Sequence, residues 1–172
     1  EAIRTEGQTT KFMAHFQQER HEFTLPMVGR HNVYNALAAI AVGVSLGFTA
    51  EEMQRGLDAM EATKMRFECK TIGAYQVIND AYNASPMSMT AAIETLAEVA
   101  KGRKIAVMGD MLELGAVSVE AHMNVGRELA AKKVDALLTR GEMGEYIARG
   151  AEEGGLQSVY RCASHEEAGK VL

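Results

Sequence analysis

The stretch VINDAYNASPMSMTAAI, residues 77–93, decides the fold. It opens on apolar, β-favouring Val77 and Ile78 and breaks off into Asn79, Asp80, Tyr82, Asn83 and Ser85. Pro86 follows, and then Met89, Ala92, Ile93, Leu96 and Val99 recur at helical spacing. This reads as a strand, a polar loop and a helix, with Ser85 able to cap and Pro86 sitting where its missing N–H costs nothing. Five hydrogen-bonding side chains at a strand end have two readings. They are ordinary turn and cap residues, or they face a ligand outside the carboxyl edge of an open α/β sheet. On the second reading the helix start favours an anion. Asp80 would accept from the two hydroxyls of a ribose, and Asn83 offers both a donor and an acceptor.

Downstream the rhythm repeats. KIAVMGD reads as a strand over residues 104–108, and its end, VMGDMLELG, carries Gly109, Asp110, Glu113 and Gly115. Two neighbouring strand ends bearing acids and glycines predict a shared crevice, with a solvated loop as the alternative for Asp110 and Glu113. A helix over residues 118–132, a strand in DALLTRG, a helix in EMGEYIARGAEEGG, a strand in SVYRCAS and the opening of a helix in HEEAGKVL follow. Strand and helix alternating at this interval predict an α/β fold, a Rossmann-like, mostly parallel sheet flanked by helices.

Upstream the pattern differs. TTKFMAHFQQERHEFTLPM predicts two antiparallel strands joined near residues 17–20. Val33, Leu37, Ile40, Ala41 and Val44 predict a helix closed by Gly47, and Thr49 with Glu51 and Glu52 predicts a capped second helix to about Met60. Residues 67–72 and 74–78 read as strands about Gly73. The boundary between the two parts falls at residues 61–64, giving a hairpin with two helices over 1–62 and the α/β part over 63–172.

A third constellation lies in GRHNVYNALAAIA. Asn32 and Asn35 are three apart and so share a helix face near its start. Asn caps helices and also reads base edges, so capping remains open for Asn32, whereas Asn35, inside the helix, has less structural reason to be there. His31 reads as a loop or packing histidine.

Composition sets outer bounds. The chain has 172 residues, 47% of them hydrophobic, and a net charge of −5, which gives no basis for non-specific affinity to nucleic acid or anionic lipid. No run of about 18 apolar residues occurs, so no membrane helix is expected. Cys69 and Cys162 match no metal-ligand spacing, no metal ligands are expected, and reduced thiols fit the cytoplasm. The first residues lack the apolar core of a signal peptide and begin without Met, as if cut from a longer chain.

Taken together, GRHNVYNALAAIAVG, RFE, INDAYNASPMSMTAAIETLA and AVMGDMLELG with Ser118, His122 and the later VG resemble, in order and spacing, the Mur ligase family. The resemblance covers roughly residues 20–172. It implies an ATP-dependent amide ligase of peptidoglycan synthesis that makes an acyl phosphate and needs Mg2+ to neutralise phosphoryl charge. The NDAYNASP form resembles the branch that adds D-alanyl-D-alanine to UDP-N-acetylmuramoyl-tripeptide. Carried over residue by residue, Asn32 and Asn35 match asparagines near adenine, Arg66 an arginine reaching the ATP phosphates, and Asp80 an aspartate near the ribose. Tyr82, Asn83, Ser85, Asp110 and Glu113 are assigned to the dipeptide side, and His122 to packing. No G-x-x-x-x-G-K-[ST] phosphate loop occurs in the chain. The resemblance therefore implies a fragment: the tail of the central ATPase domain plus an incomplete C-terminal domain, without catalytic residues, with ATP and Mg2+ held mainly elsewhere, and monomeric. The alternatives are a family member adding a single amino acid and a non-catalytic Rossmann-like binding module; against a dinucleotide site, no G-x-G-x-x-G follows a strand.

Overall fold

The computed structural model describes residues 3–7, 9–60 and 64–172. The expected boundary at residues 61–64 lies largely outside them. The chain forms two compact units, Glu1–Tyr82 and Asn83–Leu172.

In the first unit, β1 (Arg4–Glu6), β2 (Thr9–Phe16) and β3 (Glu19–Leu25) make an antiparallel sheet in that order. The hairpin was legible in the alternating pattern and β1 was not. Gln17 and Gln18 close it at φ 51° and 66°, a two-residue turn whose positive φ values match strand twist. Helix α1 (Arg30–Ser45) follows Gly29 at φ 99°, and α2 (Ala50–Asp58) opens on a complete capping box between Thr49 and Glu52. Phe12, Phe23, Leu25, Val33, Ile40, Met53 and Leu57 bury one face of this sheet against the helices. The hairpin β4 (Glu68–Ile72) and β5 (Tyr75–Asn79) turns through Gly73 at φ 60°.

Here one expectation is corrected. Strand β5 pairs antiparallel with β4 and forms a separate two-stranded sheet. Asn79 and Gly109 therefore do not end neighbouring strands of one sheet. Local pattern identifies a strand but not its partner, so the sequence does not show that β5 turns back on β4.

The second unit holds the α/β fold. Strands β6 (Ile105–Met108), β7 (Ala136–Thr139) and β8 (Val159–Arg161) are parallel, in that order. Helices α3 (Pro86–Val99), α4 (Ser118–Ala131), α5 (Gly144–Glu153) and α6 (His165–Val171) flank them. Successive side chains of β7 point to opposite faces. Leu137 packs with Met89 and Ile93 of α3, Leu129 of α4 and Ile147 of α5, while Leu138 packs with Cys162 and Ala168 on the α6 side. Helices α4 and α5 meet through glycine: a Cβ on Gly126 would collide with the Ile147 carbonyl oxygen, and one on Gly150 with that of Met123. Arg161 ties β8 to α5, donating from Nε to Glu145 at 2.6 Å and from both terminal nitrogens to Glu152 at 2.7 and 2.9 Å. It holds both carboxyls below their usual range. No helix among the described residues is long and apolar enough to cross a membrane.

Candidate functional site

In the first unit the site is built around residues 65–67. Met65 and Phe67 both have positive φ, 60° and 53°, which costs a residue with a side chain about 1 kcal/mol each. Two hydrogen bonds hold them. The Phe67 N–H donates to Asp80 Oδ1 at 3.0 Å, and the Tyr82 N–H donates to the Met65 carbonyl at 3.0 Å. Between them the Arg66 guanidinium lies 4.2 Å from the centre of the Tyr82 ring, a cation–π contact that fixes where its fork is held. Tyr82, expected on the dipeptide side, also forms the platform of Arg66.

The start of α1 joins this cluster. The His31 ring meets the Phe67 ring edge-on, with centroids 4.9 Å apart and planes at 62°. Burial pushes the His31 imidazole below its usual value, and the Asp80 carboxylate pushes back. Asn32 is buried and does not cap. Gly29 is the N-cap, without a side-chain bond, and Asn32 Nδ2 donates back to the Val28 carbonyl at 2.8 Å. Asn35, one turn on, is exposed, so the two asparagines face different surroundings. Phe67 is the residue that sequence reasoning missed, while His31, read as a loop or packing histidine, does pack, against that ring. His31 stood beside Asn32 in the same motif, but nothing in the spacing announced a contact across 36 residues.

The second unit carries the other candidates. Ser85 caps α3 in a reciprocal box: its Oγ accepts from the Ser88 N–H at 3.2 Å, and its own N–H donates to Ser88 Oγ at 2.9 Å. The Ser88 donor at that helix start is therefore used internally rather than left for an anion. Asn83 is exposed. Asp110 follows β6, and its Oδ1 accepts from the Gly144 N–H at 2.8 Å, at the start of α5. A carboxylate is stabilised there by the helix dipole. Gly141, at φ 107°, leaves the room: a Cβ on it would strike the Asp110 carboxylate. Glu113 is exposed at φ 63°.

His122 supports the same loop. It is fully buried, its Nδ1 lies 2.6 Å from the Ser118 carbonyl oxygen, and its Nε2 accepts from the Met111 N–H at 2.9 Å. A carbonyl only accepts, so Nδ1 carries the proton and the ring is the neutral δ tautomer. Buried packing was the expected role, but the anchoring of Met111 beside Asp110 was not legible. Its only trace was the helical spacing of Ser118 and His122. Among the described residues no three His, Cys, Asp or Glu side chains converge on a metal position. These residues therefore offer Mg2+ no cluster of three such ligands.

The first unit thus carries a guanidinium stacked on a tyrosine, a carboxylate bonded to a backbone N–H and a helix start bearing asparagines, and the class of protein that has them is defined by comparison with known proteins. The chain belongs to the Mur ligase family: the model described as "Mur ligase, glutamate ligase domain" matches residues 65–172, and "Mur ligase middle domain" matches residues 1–43. Among relatives, it is 44% identical over 131 residues to the UDP-N-acetylmuramoyl-tripeptide--D-alanyl-D-alanine ligase of Bacillus subtilis strain 168, covering 75% of this chain and 29% of that protein. Crystal structure I of MurF from Acinetobacter baumannii superposes with a TM-score of 0.82 at 34% identity, covering 92% of this chain and 34% of that one. MurF ligase from Thermotoga maritima in complex with ADP superposes at 0.84 with 22% identity, covering 99% of this chain and 38% of that one, a likeness of fold. The chain thus spans about a third of the length of these proteins.

Proposed function

We propose that the protein carrying this chain is an ATP-dependent amide ligase that joins D-alanyl-D-alanine to UDP-N-acetylmuramoyl-tripeptide in peptidoglycan synthesis, in the cytoplasm and as a monomer. Residues 1–62 would be the tail of its central domain and 63–172 most of its C-terminal domain. The observation that carries the reading is the 44% identity to a ligase of that name across three quarters of the chain.

The chemistry is activation followed by attack. The tripeptide carboxylate, a poor electrophile, takes the γ-phosphoryl group of ATP and releases ADP. The amine of the dipeptide then attacks the acyl carbon, phosphate departs with the C–O bonding pair, and the amine loses its proton. Arg66, held over Tyr82, would bring a planar, permanently charged fork to the phosphates. Asp80 spends one hydrogen bond on Phe67, and a carboxylate has about four acceptor positions. That leaves capacity for ribose hydroxyls. Asn32 and Asn35 would lie toward adenine, and Tyr82, Asn83, Ser85, Asp110 and Glu113 toward the dipeptide, with Asp110 and Ser85 acting as supports. Mg2+, where bound, would neutralise phosphoryl charge from ligands outside this chain.

The test is a phosphate-release assay of the full-length protein with ATP, the tripeptide nucleotide and either D-alanyl-D-alanine or single amino acids. Release that needs the dipeptide is expected. A preference for a single amino acid would move the protein to another branch of the family, and no ATP-dependent ligation at all would overturn the reading.

A further inference from the structure

The least accounted-for group in the first unit is His31. Its Nδ1 is buried and has no hydrogen-bond partner among the described residues, a rare condition for a polar atom. The ring therefore contributes through its shape at that point, and what it touches is Phe67, at 4.9 Å and edge-on. Phe67 is itself buried and at positive φ, and its N–H holds Asp80. One contact chain runs from the His31 ring through the Phe67 ring and the Phe67 N–H to the Asp80 carboxylate. Arg66 stands on the backbone between the two left-handed residues, and its platform Tyr82 grips the Met65 carbonyl. A left-handed residue with a side chain relaxes to negative φ unless its surroundings prevent it. Rotation at Phe67 would take its N–H off Asp80 and re-aim Arg66.

We propose that His31 is a positioning residue: its ring wedges Phe67 so that residues 65–67 keep their two left-handed turns and present Arg66 and Asp80 as a pair. This rests on reading Arg66 and Asp80 as the nucleotide-facing residues. His31 need not touch the nucleotide.

The experiment uses His31→Ala, Phe67→Leu, the double variant and His31→Phe in the full-length ligase, with steady-state kinetics in each substrate. Expected for either single truncation is a KM for ATP raised about tenfold, with kcat within about threefold and the KM for D-alanyl-D-alanine unchanged. Because both variants break one contact, the double should cost no more than either alone. His31→Phe keeps a ring edge and should return the KM for ATP to within about twofold of wild type. Additive effects, both KM values rising together, or a His31→Phe as impaired as His31→Ala would each overturn the proposal. Amide exchange in the present chain gives a readout without activity: His31→Ala should speed exchange at Phe67 by tenfold or more, and unchanged protection there would also overturn it. A wild-type enzyme that fails to ligate would sink the functional reading itself. An active wild type with indifferent variants would sink the positioning role alone.

Discussion

His31 is also where pH should act. Burial holds its folded-state pKa below the usual value of ~6.5, so the unfolded chain binds the proton more readily. Its contribution is complete above ~6.5 and is lost as pH falls through the lowered folded value. The stability difference between wild type and His31→Phe, from urea titrations between pH 7.5 and 5, should therefore shift in favour of the variant as pH drops. A constant difference would show that the ring does not titrate against folding. At this scale the sequence revealed chemistry better than partners. Asp80 and Asp110 were legible as loop acids because an acid after an apolar run is visible locally. Their partners, the Phe67 and Gly144 N–H groups, lie 13 and 34 residues away. The left-handed conformations of Met65 and Phe67 left no trace either, since neither is a residue that favours them.

Among elements, the helices and their caps were the legible part. Thr49 and Ser85 start α2 and α3 as capping chemistry requires, and the apolar spacing of residues 89–99 is the face that Ile93 buries. What local pattern could not supply was pairing. Strand β5 has the same composition whether it joins a parallel sheet or turns back on β4. The α4–α5 contact was equally silent, because glycines inside helices read as weak points rather than points of approach. Gly150→Ala tests it. With the new methyl group set against the Met123 carbonyl, the helices must separate, and the second unit should lose about 3 kcal/mol in urea unfolding. A loss under about 0.5 kcal/mol would mean the backbones are not in close approach.

For the molecule as a whole, each unit has its own core. The apolar cluster of the first ends at Leu57, and those of the second draw only on residues from Ala84 onward. Residues 83–172 alone should therefore fold, with a cooperative thermal transition followed by far-UV circular dichroism. A non-cooperative melt would mean that the hairpin of residues 68–79 is needed, as the span of the family model from residue 65 allows. The α/β class and the existence of a preceding hairpin-plus-helices segment were readable from periodicity, which is a local property. The extent of each unit is a property of long-range packing.

The paired left-handed residues at 65 and 67 also narrow what evolution or an engineer can write there. Glycine would ease either φ, yet at 67 it would empty a buried position, and at 65 it would widen the conformations open to the unfolded chain. β-Branched substitutes would suit neither position. Variation in this tripeptide is thus restrained at the two letters that carry no charge, and a comparison scoring only its arginine would overlook them.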